Sequence, residues 1–199
     1  MSLTVSAGSQ GQFELVPEGT YIGRCFKIID LGTQTTEWQG EKKQQRKVLI
    51  CWELLDDTVK MEDGRPFAAT KKYTASLHEK AQLRKDLEAW RGKKFTEDEL
   101  EGFDLKNVMG AYCMIQIVHS TDGNYANVNA IMSTKEKPEA VNPNMFFDIS
   151  EPDMEVFNSL SDRLKEQIES APEWNAKDTV AEVGDEPVNL DDVPADFLK

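Results

Sequence analysis

The run Arg46–Asp56 restricts what this chain can become more than any other stretch. Val48, Ile50, Trp52 and Leu54 alternate with Leu49, Cys51 and Leu55, so a strand here carries apolar side chains on both faces. Such a strand has no face to give to water and belongs inside a sheet. The rest of the chain has to supply its neighbours.

Upstream, the turn Pro17-Glu18-Gly19 leads into Thr20–Leu31, where Tyr21, Ile22, Phe26, Ile28 and Ile29 spell a first strand. Gly32–Gln45 is polar and reads as a loop carrying Trp38, Lys42 and Lys43. A Trp in such a loop either folds back onto the core or serves as a stacking platform, and its basic neighbours favour the platform. Downstream, Glu62-Asp63-Gly64 is a turn and Pro66–Ala75 a third strand with Phe67, Ala69, Lys71 and Tyr73 on one face. Aromatic and lysine alternating on a strand face suits the floor of a groove, although Tyr73 also has a place in a core.

Helical punctuation follows. Ser76 with Glu79 makes a capping box, Leu83, Leu87 and Trp90 recur at helical spacing, and Gly92 stands where a C-terminal cap belongs. Thr96 with Glu99 makes a second box, staple positions Phe95 and Leu100 flank it, and a short helix Thr96–Glu101 is predicted. Gly110–His119 and Tyr125–Met132 then read as two strands joined through Thr121-Asp122-Gly123-Asn124, a hairpin turn. From Ser133 the composition shifts to a linker with Pro138 and Pro143. An amphipathic helix Asp153–Ser170 comes next, with Phe157, Leu160, Leu164 and Ile168 as its stripe and an end before Pro172. That stripe must be covered by the body or by a second subunit, which predicts a homo-oligomer.

At 199 residues the chain has material for one domain of roughly 130 residues plus appendages. The expected organisation is a disordered N-terminus over 1–13, a domain over 14–133, a linker and helix over 134–172, and a disordered acidic tail over 173–199. From Asp178 to Leu198 there are seven acids and no Lys or Arg, too little apolar surface to offset the entropy of ordering. From Glu136 onward lie 17 of the 36 acids but only 5 of the 23 Lys and Arg, so −12 of the net −13 sits there. The acidic balance therefore describes the end of the chain and does not exclude a polyanion partner for the body. The first residues lack a basic and apolar leader, and no 18 consecutive apolar residues occur, which predicts neither export by such a signal nor a membrane span. Cys25, Cys51 and Cys113 fall inside apolar runs with no CxxC spacing and read as reduced core thiols of a cytoplasmic protein.

Three strands, a helix and two strands is the order of the OB-fold, a five-stranded Greek-key barrel whose ligands lie across strands two and three between the loops joining strands one to two and four to five. The residues falling there are Trp38, Lys42, Lys43, Arg46, Lys71, Lys72, Tyr73 and Tyr125. Basic groups track a phosphate backbone and aromatic faces stack bases. With the ending Asp191-Asp192-Val193-Pro194-Ala195-Asp196-Phe197, the whole chain resembles the phage-encoded single-stranded DNA-binding proteins with an acidic C-terminal tail. The resemblance implies sequence-tolerant binding of single-stranded DNA in phage replication or recombination, inside a bacterial cytoplasm. It also implies a tail that competes for the groove and recruits replication or recombination proteins through Asp191, Asp192, Asp196 and Phe197. The chain departs from that pattern by ending Leu198-Lys199.

Catalysis is not indicated. His78 and His119 are the only histidines, His78-Glu79 lacks the second His of a zinc helix, and no Gly-rich phosphate loop occurs. Asp56, Asp57, Glu62 and Asp63 lack EF-hand spacing and suit a solvated turn, so neither a metal nor a cofactor is expected. The alternative is an accessory protein that binds a host protein through its acidic surface, as a DNA mimic or inhibitor.

Overall fold

A computed structural model of the chain describes residues 14–38 and 40–181, without the side chains of Trp38 and 177–181. The protein is mainly β. The strands β1 (Gly19–Trp38), β2 (Glu41–Leu54), β3 (Ala68–Thr74), β4 (Tyr112–His119) and β5 (Ala126–Met132) lie in the order β3-β2-β1-β4-β5, each antiparallel to its neighbour. A sixth strand, β6 (Met145–Phe147), adds in parallel to β1 at Lys27–Ile29. The run singled out in the sequence is thus an inner strand, with β1 on one side and β3 on the other. At the ends of the order, β3 and β5 approach each other.

Alternation sorts the side chains of these strands into two cores. Inward go Tyr21, Cys25 and Ile28, Val48, Ile50, Trp52 and Leu54, Phe67, Ala69 and Tyr73, Cys113, Ile115 and Ile117, with Val128 and Ile131. Helix α1 (Gln82–Arg91) lays Leu83, Leu87 and Trp90 over them, and Trp52 tilts against Trp90 with ring centroids 5.6 Å apart. Each such side chain withdrawn from water stabilises the fold by about 1.5–3 kcal/mol. The three cysteines are free and buried, and burial pushes the Cys51 thiol up to about 12. Gly92 caps α1 in the left-handed region as read from the sequence. The helix begins later than the Ser76 box implied, because the Ser76 hydroxyl accepts the His78 N–H within a turn and Ala81 precedes the helix without a side-chain cap. The second box is present, opening α2 (Glu97–Glu101): Thr96 Oγ1 accepts from Glu99 N and Glu99 Oε2 from Thr96 N.

On the outer side the C-terminal segment builds the second core. Ile29, Leu31 and Leu49 pack against Phe147, Ile149, Phe157, Leu160, Ile168 and Ala171. In place of one helix over 153–170 there are two, α3 (Met154–Ser159) and α4 (Asp162–Glu169), and a third, α5 (Pro172–Ala181), follows them. Leu160 is extended (φ −72°, ψ 156°), which breaks the helix where a straight one would carry Ile168 away from the sheet. Pro172 opens the third helix rather than ending the second, since the first helical position needs no N–H. Phe157, Leu160 and Ile168 are buried on their own chain, so the argument for a second subunit through this stripe loses its basis. The stretch expected as tail also starts too early: Trp174 stacks on Phe157 with centroids 4.6 Å apart. Residues 1–13 and 182–199, with the N-terminus and the rest of the tail, lie outside the described residues.

Two features join the extension to the sheet. Gly32 has φ +65° and passes so close to Ala171 that a Cβ would stand 2.5 Å from the Ala171 Cβ, a place only glycine fills. Arg24 and Glu53, both buried, form an ion pair of 2.7 Å. The Glu53 carboxylate also accepts Asn142 N at 2.8 Å and Nδ2 at 2.7 Å, while Arg24 donates to Asn142 O at 3.0 Å and to Asn144 Oδ1. The chain from Asn142 to Ala171 is therefore packed against the sheet.

The largest departure from the sequence reading is 32–45. Thr33–Trp38 pairs with Glu41–Arg46 as a two-stranded arm that continues β1 and β2 beyond the sheet. The β-branched Thr33, Thr35 and Thr36 suit strands, Gly40 at φ +83° closes the turn, and Lys42 stands opposite Glu37.

Candidate nucleic-acid interface

On β2 the outward row that begins at Leu49 continues through Lys47, Gln45 and Lys43 along the arm. Across the ladder Lys72 lies opposite Leu49 and Thr74 opposite Lys47, which brings the lysines of two strands onto one surface. The connection from β3 to α1 adds His78 and Lys80. Together these groups and Lys71 line an open cleft of about 700 Å³.

The charges there are unequally matched. Lys71 Nζ donates to Asp86 Oδ2 at 2.8 Å, and the same buried carboxylate takes the Tyr73 hydroxyl at 2.8 Å and Gln82 Nε2 at 2.6 Å. Lys47 donates to Gln45 Oε1 and Thr74 Oγ1, both at 2.8 Å, and Lys72 to Gln167 Oε1 at 2.9 Å, all of them neutral acceptors. Lys43, Lys47, Lys72 and Lys80 have no carboxylate partner among the described residues. Burial first, and then the charges of Arg163 and Lys47, hold the Lys72 ammonium below the usual lysine range. An anion placed among such cations would relieve their repulsion.

The structure divides the sequence-predicted set. Lys43, Lys71 and Lys72 meet in the cleft. Tyr73 reaches it only from below, because its ring is 3% exposed and its hydroxyl, raised in pKa by burial and then by Asp86, is spent on that carboxylate. It is a core residue and offers no stacking face. Lys42 and Arg46 alternate away from the row of Lys43 and Lys47. Arg46 bonds Asp30 and lies 4.0 Å from Asp148, so its charge is matched elsewhere. Tyr125 is 65% exposed but belongs to the β4–β5 turn, beside the start of β1 where His119 N donates to Glu18, whereas the arm lies at the far end of that strand. Trp38 occupies the last rung of the arm opposite Glu41, and its side chain lies outside the described residues, as do Asp191, Asp192, Asp196 and Phe197.

Lys47, His78, Lys80 and Gln167 escaped the sequence reading. Lys47 was legible in its alternation with Lys43 once 41–47 is strand; Gln167 arrives only through tertiary packing. The acids of the 56–63 turn serve that turn: Asp56 accepts from Thr58, Asp57 pairs with Lys60 at 2.9 Å and Asp63 with Arg65 at 2.6 Å. Among the described residues no group of three His, Cys, Asp or Glu is placed to hold a metal ion, and no helix is long and apolar enough to cross a membrane. No protein-family model matches this chain, and no curated protein matches it either.

The position of Tyr73 makes a stability prediction. Tyr73→Phe removes a hydrogen bond to a buried carboxylate and should cost about 1.5–3 kcal/mol in urea unfolding, with oligonucleotide affinity unchanged. A wild-type unfolding midpoint would place the hydroxyl outside the Asp86 network.

Proposed function

We propose that the protein binds single-stranded DNA without sequence preference, its lysine cleft neutralising the phosphate backbone. The observation that carries this reading is the gathering of Lys43, Lys47, Lys72 and Lys80 on one cleft with no carboxylate among the described residues to match them. An OB-type barrel is the architecture proposed with it. The strand order, the helix between β3 and β4, and the approach of β3 to β5 support closure of the sheet. Since Tyr73 is core and Tyr125 is remote, stacking falls to Trp38 at the end of the arm. Trp38→Ala should then cost about 1–3 kcal/mol of binding.

The acidic segment after 181 is proposed to compete for the same cleft and to carry replication or recombination partners on Asp191, Asp192, Asp196 and Phe197, in a phage setting. Its deletion should tighten binding at low salt, where competition between charges is least screened.

Fluorescence anisotropy of labelled oligo-dT across a salt series tests the reading. Counterion release gives a log-log slope of about −0.7 for each phosphate contacted, so four lysines predict a slope near −3. Affinity that does not change with salt, or that is equal for duplex of the same length, would refute it.

A further inference from the structure

We infer that the C-terminal extension flanks the cleft at Lys72 and prolongs the site, with Arg163 of α4 as a phosphate contact and Gln167 as the residue that positions Lys72. This rests on the polyanion reading above and extends the site beyond the strands. Gln167 is held on two sides: its Oε1 accepts Lys72 Nζ at 2.9 Å and its main-chain carbonyl accepts Gln34 Nε2 at 2.7 Å. It thereby ties α4 to β3 and to the base of the arm. Beside it Ile168 is fully buried in the outer core, and Glu173 of α5 takes Thr33 N at 2.9 Å and Thr33 Oγ1 at 2.6 Å. The helix is fixed in place before any ligand arrives.

Arg163 precedes Gln167 by four residues, one turn along the same helix face, and its charge is felt by the Lys72 ammonium. It is exposed and has no ion pair among the described residues, whereas the other cation of α4, Lys165, lies 4.0 Å from Asp162. Lys47, Lys72 and Arg163 thus bring positive charge together from β2, β3 and α4. The planar fork of a guanidinium matches a phosphate in a way that an ammonium does not. The extension also covers Ile29, Leu31 and Leu49, the apolar outer surface of β1 and β2. A bound strand is consequently turned away from that surface and runs between the lysine row and α4.

The test uses the full chain and oligo-dT. Arg163→Ala removes one contact and should weaken binding about eightfold at ~50 mM salt, make the salt slope shallower by about 0.7, and leave the urea midpoint unchanged. Arg163→Lys should recover the slope but not all of the affinity. Gln167→Ala should weaken binding while keeping the slope, because Lys72 stays charged but loses its hold. Lys165→Ala should behave as wild type. If Arg163→Ala binds with wild-type affinity and slope while Lys47→Ala does not, α4 is packing alone and the inference fails with the cleft reading intact. If Lys47→Ala is also silent, the cleft itself is misassigned.

Discussion

Glu53→Ala should lower the free energy of unfolding by about 3–5 kcal/mol, the cost of leaving one member of a buried ion pair without the other. Glu53 is completely buried and Arg24 is 8% exposed, so water does not replace the missing partner. The loss extends beyond the pair. Asn142 N and Nδ2 both donate to Glu53, and Arg24 reaches Asn142 O and Asn144, so the carboxylate also fixes the path by which the chain leaves β5 and returns as β6. Urea unfolding gives the energy, and limited proteolysis should show cleavage within 134–144 that wild type resists. The double variant Arg24→Met with Glu53→Leu should recover much of the stability, because apolar groups of similar size leave no buried charge behind. A single Glu53→Ala with a wild-type midpoint would mean that water reaches the site.

Lys47→Ala combined with Lys72→Ala should weaken oligo-dT binding roughly fifty- to a hundredfold at ~50 mM salt, from two phosphate contacts at about 0.7 each in log-log slope. The slope itself should become shallower by about 1.4, which separates lost contacts from a general loss of fold. Stability should change little, since burial, and then repulsion from Arg163 and Lys47, already disfavours the charged form of Lys72. By contrast, Arg46→Ala should leave binding intact, because its guanidinium is committed to Asp30. Anisotropy titrations of the three proteins at two salt concentrations decide the matter. An Arg46→Ala loss equal to that of the lysine pair would move the site to the other side of the arm.

The contrast between Arg46 and Lys47 shows what the sequence made legible. Both are basic residues at the start of the same strand, and composition treats them alike. Alternation assigns them to opposite faces, but the row that Lys47 joins runs on to Gln45 and Lys43 only if the arm is recognised as a strand, and its Thr, Gln and Lys side chains lack the apolar rhythm by which strands are found. The polar row survives as strand because it pairs with a second polar row in a hairpin that projects beyond the sheet. Tyr73 shows the reverse. Its sharing of a face with Phe67 and Ala69 was visible, and so was the possibility of core, but the carboxylate that decides the matter comes from α1.

The sequence by itself determined the elements whose signals are local. These are the two-faced apolar strand, the β4–β5 hairpin, the Gly92 cap and the Thr96 box, all set by alternation, turn chemistry or capping within a few residues. Tertiary structure alone decided what depends on a partner distant in the chain. Leu160 leaves the helix so that both its stripe and Ile168 reach the outer face of β1; Glu53 is tolerable in a core strand only because Arg24 and Asn142 meet it there; and Gln167 holds a lysine of the basic cleft because α4 lands beside Lys72. The physical reason is that periodicity reports which residues must be covered, while the identity of the cover is fixed by contacts from 29 to more than ninety residues away in the chain.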